Sequence, residues 1–159
     1  MVPYRRVFEG LAKCNVRYLV AGGFAVNFHQ VQRATVDLDL ILQIEKKNIL
    51  KFVNLMNELG FMPRVPVRAE DFADSKKREE WIKKKGMMVF TFIHRENPFE
   101  VIDIFTEEPI GFEELWKKRL EVAAFELKIP VLSKEHLIKL KERANREKDR
   151  FDIEQLKKN

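Results

Sequence analysis

The chain has 159 residues, 45% of them hydrophobic and 35% charged, a balance that fits one soluble globular domain with a sizeable core. No apolar run reaches the length of a membrane span and the first residues carry no signal-peptide core, so a cytoplasmic protein with no membrane partner is expected. The net charge of +5 suits polyanionic partners such as nucleotides or RNA without requiring them, and the single cysteine, Cys14, excludes an intrachain disulfide and argues against a cysteine metal cage.

Tyr4, Phe8, Leu11 and Ala12 recur at helical spacing, with Pro3 suited to the first turn and Cys14 falling on or just after that helix. Residues 16–21 read as a buried strand that runs into Gly22-Gly23, and residues 24–30 as a short helix packed back on it. A second strand is expected over 37–43, with Leu38, Leu40 and Leu42 facing one way and Asp37, Asp39 and Ile41 the other. Residues 46–59 carry Ile49, Phe52, Val53, Met56 and Leu59 on one helical stripe, stopped by Gly60.

A proline-spaced connection covers 62–66, and a charged, helical stretch follows to Lys85 before Gly86 breaks it. Its basic clusters, Lys76-Lys77-Arg78 and Lys83-Lys84-Lys85, read as a solvated helix face or as a polyanion-binding surface. Residues 87–93 and 99–105 pair as a hairpin across the polar turn 95–98. A short helix over 112–119 and one or two short strands around Pro130, within 122–131, come next. Ser133 is an N-cap for a final helical pair broken near Asn145. The fold class is therefore α/β (α+β), with a central mixed β-sheet flanked by helices and a C-terminal helical pair. The expected organisation is one domain over 1–159, with a core at about 16–105 and the helical part at about 133–159.

The chemistry concentrates in few residues. An apolar strand that meets a glycine pair can turn tightly and offer a helix N-terminus to a phosphate, although a glycine pair alone is an ordinary turn signal. In Asp37-Leu38-Asp39 the period of two puts both carboxylates on one side. A third, Asp103, interrupts the apolar strand Val101-Ile102-Asp103-Ile104-Phe105, where an unpaired carboxylate is costly to bury. Three such oxygen donors suit a hard divalent cation. His29 reads as a packed helix histidine, and His94 and His136 lack zinc-ligand spacing. The phenylalanines sit mostly on apolar faces and read as core.

Gly22-Gly23 with Ala25, Asn27, His29, Arg33, Thr35, Asp37 and Asp39 resembles the signature of the nucleotidyltransferase superfamily, closest to the branch that contains the AbiEii-like proteins. Residues 137–141 and 146–153 resemble that branch's closing helical signature, whereas 60–98 carry no recognisable motif. Gln30 departs from the pattern, since relatives often carry glycine there.

The resemblance implies transfer of a nucleoside monophosphate from a nucleoside triphosphate to an acceptor hydroxyl, with pyrophosphate leaving. It implies that Asp37 and Asp39 hold two magnesium ions, or manganese in their place, and that Asp103 completes the second site and orients or deprotonates the acceptor. Gly22 and Gly23 would admit the phosphates close to the backbone, Arg33 and Thr35 would contact them, and Lys141 would stabilise the developing charge. Asp149 matches an acidic position of the family with no clear role. The acceptor is unidentified, with RNA and protein both open, and a toxin-like role with an antitoxin-like partner is compatible with the resemblance. Two other readings stay open: a silent binding module that kept the fold, and an RNA-binding protein driven by the basic stretch 76–85.

Overall fold

The strongest apolar runs of the chain become the middle of one sheet. The structure, a computed structural model, describes residues 4–159, and the expected first-turn position of Pro3 lies outside the described residues. In chain order the elements are α1 (Arg5–Lys13), β1 (Tyr18–Ala21), α2 (Gly22–Phe28), β2 (Leu38–Leu42), α3 (Lys46–Leu59) and β3 (Phe61–Pro63). A 3-10 turn at Ala69–Ala73 precedes α4 (Ser75–Lys85), β4 (Val89–His94), β5 (Val101–Phe105) and α5 (Phe112–Lys117). The chain closes with β6 (Leu120–Ala124), β7 (Leu127–Val131), α6 (Lys134–Ala144) and α7 (Glu147–Lys158).

The strands form one mixed sheet in the order β3-β4-β5-β2-β1-β7-β6. β2 runs parallel to β5 and β1 parallel to β7, and the other neighbours are antiparallel. β2 is covered on both faces, which is why Leu38, Leu40, Ile41 and Leu42 are all fully buried. Asp39 is the polar exception in that strand. Helix α3 turns Ile49, Phe52, Val53 and Met56 into the core and ends at Gly60, whose φ of 90° is the left-handed geometry that a residue without Cβ adopts freely. Phe52, Phe90, Phe92 and Trp81 pack ring against ring, with Phe52 and Phe92 edge to face at 5.6 Å.

Several boundaries differ from the sequence expectation. α2 begins at Gly22 itself, so the glycine pair is the helix's first turn and not a loop before it. The proline-spaced connection contributes the edge strand β3, which pairs only with β4 and so tolerates Pro63. Residues 120–131 form a hairpin whose two turn residues, Phe125 and Glu126, both have positive φ. That geometry normally selects Asn-Gly. Here Phe125 stacks on Phe8 and lies under the Arg5 guanidinium, and those contacts offset the backbone strain. The basic stretch also loses one of its cations. Arg78 is buried, donates to the Phe72 carbonyl and lies over the Phe72 ring, so it serves the core and not a polyanion surface.

Candidate active site

Strand register assembles the site. Ala21 on β1 lies opposite Asp39 on β2, Asp39 opposite Asp103 on β5, and Asp103 opposite Thr91 on β4. Residues opposite one another in a sheet share a face, so Asp39, Asp103 and Thr91 form one row across three strands. β1 delivers Gly22 to the end of that row. Gly22 has φ 60°, and a Cβ there would overlap the Asp39 carboxylate. At Gly23 a Cβ would lie 2.5 Å from Thr35 Oγ1 and 3.2 Å from an Arg33 guanidinium nitrogen. The glycines therefore make room first for this chain's own Asp39, Thr35 and Arg33.

The segment leading into β2 is held from behind. The Tyr4 hydroxyl donates to the Val36 carbonyl at 2.7 Å and bonds both backbone groups of Val101 on β5, at 3.0 and 3.1 Å. One buried phenol thereby ties the residue before Asp37 to the strand that carries Asp103. Thr91 Oγ1 donates to Asp103 Oδ1 at 2.6 Å and fixes that carboxylate's rotation. Neither residue stood out in the sequence, where Tyr4 looks like core and Thr91 like ordinary strand.

The carboxylates are electrostatically uncomfortable. Burial, followed by the charges of Asp103 and Asp37, pushes the Asp39 carboxyl up to about 7, against the partial relief of Lys141 and Lys148. Burial also raises Asp103, opposed by the Thr91 hydrogen bond and assisted by the charge of Asp37. Asp37 is exposed at the mouth of the site. Among the described residues no three His, Cys, Asp or Glu side chains already surround a single point as a closed metal cage. The donor chemistry nonetheless fits magnesium: hard oxygens, crowded like charges and an open cavity. A cation would relieve the repulsion that raises Asp39.

That cavity, of about 510 Å³, is bordered by all the residues the sequence points to: Asp37, Asp39 and Asp103, Gly22 and Gly23, Arg33 and Thr35, and Lys141 and Asp149. Arg33 and Lys141, however, are not free cations. Both donate to the buried Asp152, each at 2.9 Å, and Lys141 lies 3.5 Å from Asp149. Asp149 accepts from Arg146 through both carboxylate oxygens, at 2.7 and 3.2 Å. Burial works against its charge, but these bonds outweigh it and keep the Asp149 carboxyl below the usual range. Asp149 thus holds the N-terminus of α7 in place. Arg146 and Lys148 also border the cavity and are exposed, which makes them more accessible to a ligand than Lys141. In the sequence they are indistinguishable from any solvated helix, since their acidic neighbours interleave with them. Val89 and Phe105, opposite one another on β4 and β5, add an apolar wall beside Asp103.

The histidines lie elsewhere: His29 Nε2 meets the Leu132 carbonyl at 2.7 Å and His94 Nε2 the Leu59 carbonyl at 2.9 Å. His136 is buried on α6. No helix among the described residues is long and apolar enough to cross a membrane.

No family model matches the chain, and no curated protein matches it in sequence. Solved structures do match. The lincosamide antibiotic adenylyltransferase LnuA, bound to lincomycin, superposes with a TM-score of 0.64 at 20% identity over 96% of this chain and 92% of its own. ANT(2")-Ia in complex with adenylyl-2"-tobramycin gives 0.60 at 14% identity over 95% and 83%. A protein of Thermotoga maritima described as a candidate nucleotidyltransferase, TM1012, gives 0.58 at 16% identity over 100% and 97%. The chain has the nucleotidyltransferase fold. At these identities the likeness is one of fold, and it does not single out the AbiEii-like branch.

Proposed function

We propose that the chain is a magnesium-dependent nucleotidyltransferase that moves a nucleoside monophosphate from a nucleoside triphosphate to an acceptor hydroxyl. The observation that carries the reading is the register pairing of Asp39 with Asp103 at the end of β1, with Asp37 beside them in one cavity. Asp37, Asp39 and Asp103 would hold magnesium, or manganese in its place, and the bound metal would supply charge neutralisation on the phosphates and a more acidic acceptor hydroxyl.

The residues of the chain do the rest. Lys148 and Arg146 meet the triphosphate from the exposed side of the cavity, and Arg33 offers the guanidinium N–H groups that Asp152 does not use. Lys141, held by Asp152 and Asp149, acts at short range as a fixed positive charge beneath the carboxylates. Asp103, its rotation set by Thr91, takes the proton of the acceptor hydroxyl. The new bond joins the acceptor oxygen to the α-phosphorus, and the bond from that phosphorus to the pyrophosphate oxygen breaks. Acceptors enter on the Asp103 side, past Val89 and Phe105, and hydroxyls of RNA and protein are the first to try.

The test is thermal stability with each of four nucleoside triphosphates, with and without magnesium, on wild type and on Asp37→Ala/Asp39→Ala. A magnesium-dependent stabilisation of wild type that the variant lacks is the expected result. A shift that survives in the variant sinks the assignment.

A further inference from the structure

Helix α7 buries Asp149, Asp152 and Leu156, yet its Phe151 is 54% exposed. Lys148 and Phe151 are three positions apart on α7, so the two side chains are neighbours on one side of the helix. Together with Arg146 and Glu147 they border a second hollow of about 590 Å³. Arg146 and Lys148 belong to both hollows, which makes those two cations the boundary between the candidate active site and the Phe151 surface.

We propose that this surface is the nucleobase subsite: the triphosphate lies on the aspartate side of Arg146 and Lys148, and its base stacks on the Phe151 ring. The inference rests on the nucleotidyltransferase reading and adds to it the group that holds the base. An exposed aromatic ring beside two cations is the combination that binds a nucleotide through its π-face and its phosphates together. Stacking discriminates by ring area and not by the hydrogen-bonding edge. The subsite therefore favours purine over pyrimidine triphosphates and separates adenine from guanine weakly. Among the described residues that border this hollow, Glu147 alone has a side chain that accepts from a base edge, and it is exposed.

The experiment compares ATP, CTP and inorganic tripolyphosphate by titration calorimetry in magnesium, on wild type, Phe151→Ala and Phe151→Trp. Tripolyphosphate carries the phosphates without a base. Phe151→Ala is expected to weaken ATP about ten-fold, within the roughly 5- to 150-fold span of lost base stacking, while tripolyphosphate stays within about two-fold. Phe151→Trp should keep ATP binding, and the preference for ATP over CTP should vanish in Phe151→Ala. Equal losses for ATP and tripolyphosphate in Phe151→Ala, or none for either, would overturn the subsite. Wild type that binds tripolyphosphate as tightly as ATP would also overturn it while leaving the triphosphate site standing. Wild type that binds neither would remove both readings at once.

Discussion

Asp39 and Asp103 stand opposite each other on neighbouring parallel strands, two carboxylates side by side on one face of the sheet. Burial first, and then the like charges of Asp103 and Asp37, leave a proton on Asp39 in the folded chain, and its carboxyl rises from 3.8 to about 7. Between those two values the folded protein binds a proton that the unfolded chain has released. Stability from this group is thus fully present below about pH 4 and is lost as pH rises through about 7, opposite to the usual carboxylate. In buffer free of divalent cations, wild type should lose stability from pH 5 to 8 relative to Asp39→Asn. At pH 8 the variant should be the more stable by about 2–4 kcal/mol, and magnesium should rescue wild type alone. Thermal melts across that range check it, and a wild-type curve parallel to the variant's would contradict it.

The two glycines with φ near 60°, Gly22 and Gly86, separate backbone strain from close approach. A Cβ at Gly86 meets nothing within 4 Å, whereas at Gly22 it overlaps Asp39. Gly86→Ala should therefore cost only the left-handed strain, about 1 kcal/mol. Gly22→Ala should cost at least about 2 kcal/mol more and remove magnesium-dependent triphosphate binding, because Asp39 must move. Urea denaturation of both variants, with nucleotide titration, tests the pair. Similar losses in the two would mean that Asp39 gives way easily.

Gln30 has φ 70°, on an exposed turn where a side chain brings strain and no burial. Gln30→Gly is expected to raise stability by about 0.5–1 kcal/mol, the relief exceeding the extra entropy of the unfolded chain. The urea midpoint should rise with an unchanged slope and unchanged nucleotide affinity. A lower midpoint would mean that the Gln30 side chain does something useful in the folded state.

Much of the candidate site was legible because its residues break local patterns: Asp39 and Asp103 sit in apolar strands, and a glycine pair follows the apolar strand β1. Period-two spacing sufficed to put Asp37 beside Asp39. It could not show that β2 and β5 are adjacent and parallel, since that neighbourhood depends on the crossover between distant segments. Thr91 was within reach, because in a hairpin centred on 97 it falls opposite Asp103. Asp152 was harder. A carboxylate on a helix rich in both charges looks solvated, and only the packing of α6 against α7 buries it beneath Arg33 and Lys141. The Phe125-Glu126 turn could not be read at all, since its strain is offset by Phe8 and Arg5 from the other end of the chain. Asn48 was hidden for the same reason. It looks like a polar first-turn residue, yet it is buried and bonds the Arg17 backbone at 2.8 and 2.9 Å.

Asp152 joins the loop after α2 to the last two helices, because its Oδ2 accepts from both Arg33 and Lys141. Removing it alone leaves Lys141 buried with one partner, Asp149 at 3.5 Å, so Asp152→Ala should destabilise by about 3–5 kcal/mol. Lys141→Met replaces the buried cation with an apolar chain of similar length, leaves Asp152 with Arg33, and should cost less. The double variant Asp152→Ala/Lys141→Met removes both partners of the pair at once. It should be more stable than the sum of the single losses allows, with a coupling of about 1–3 kcal/mol. Denaturant melts of the four proteins close the cycle. Additive losses would mean that Arg33, and not Lys141, is the partner that matters to Asp152, and the same cycle built on Arg33→Met would then carry the coupling.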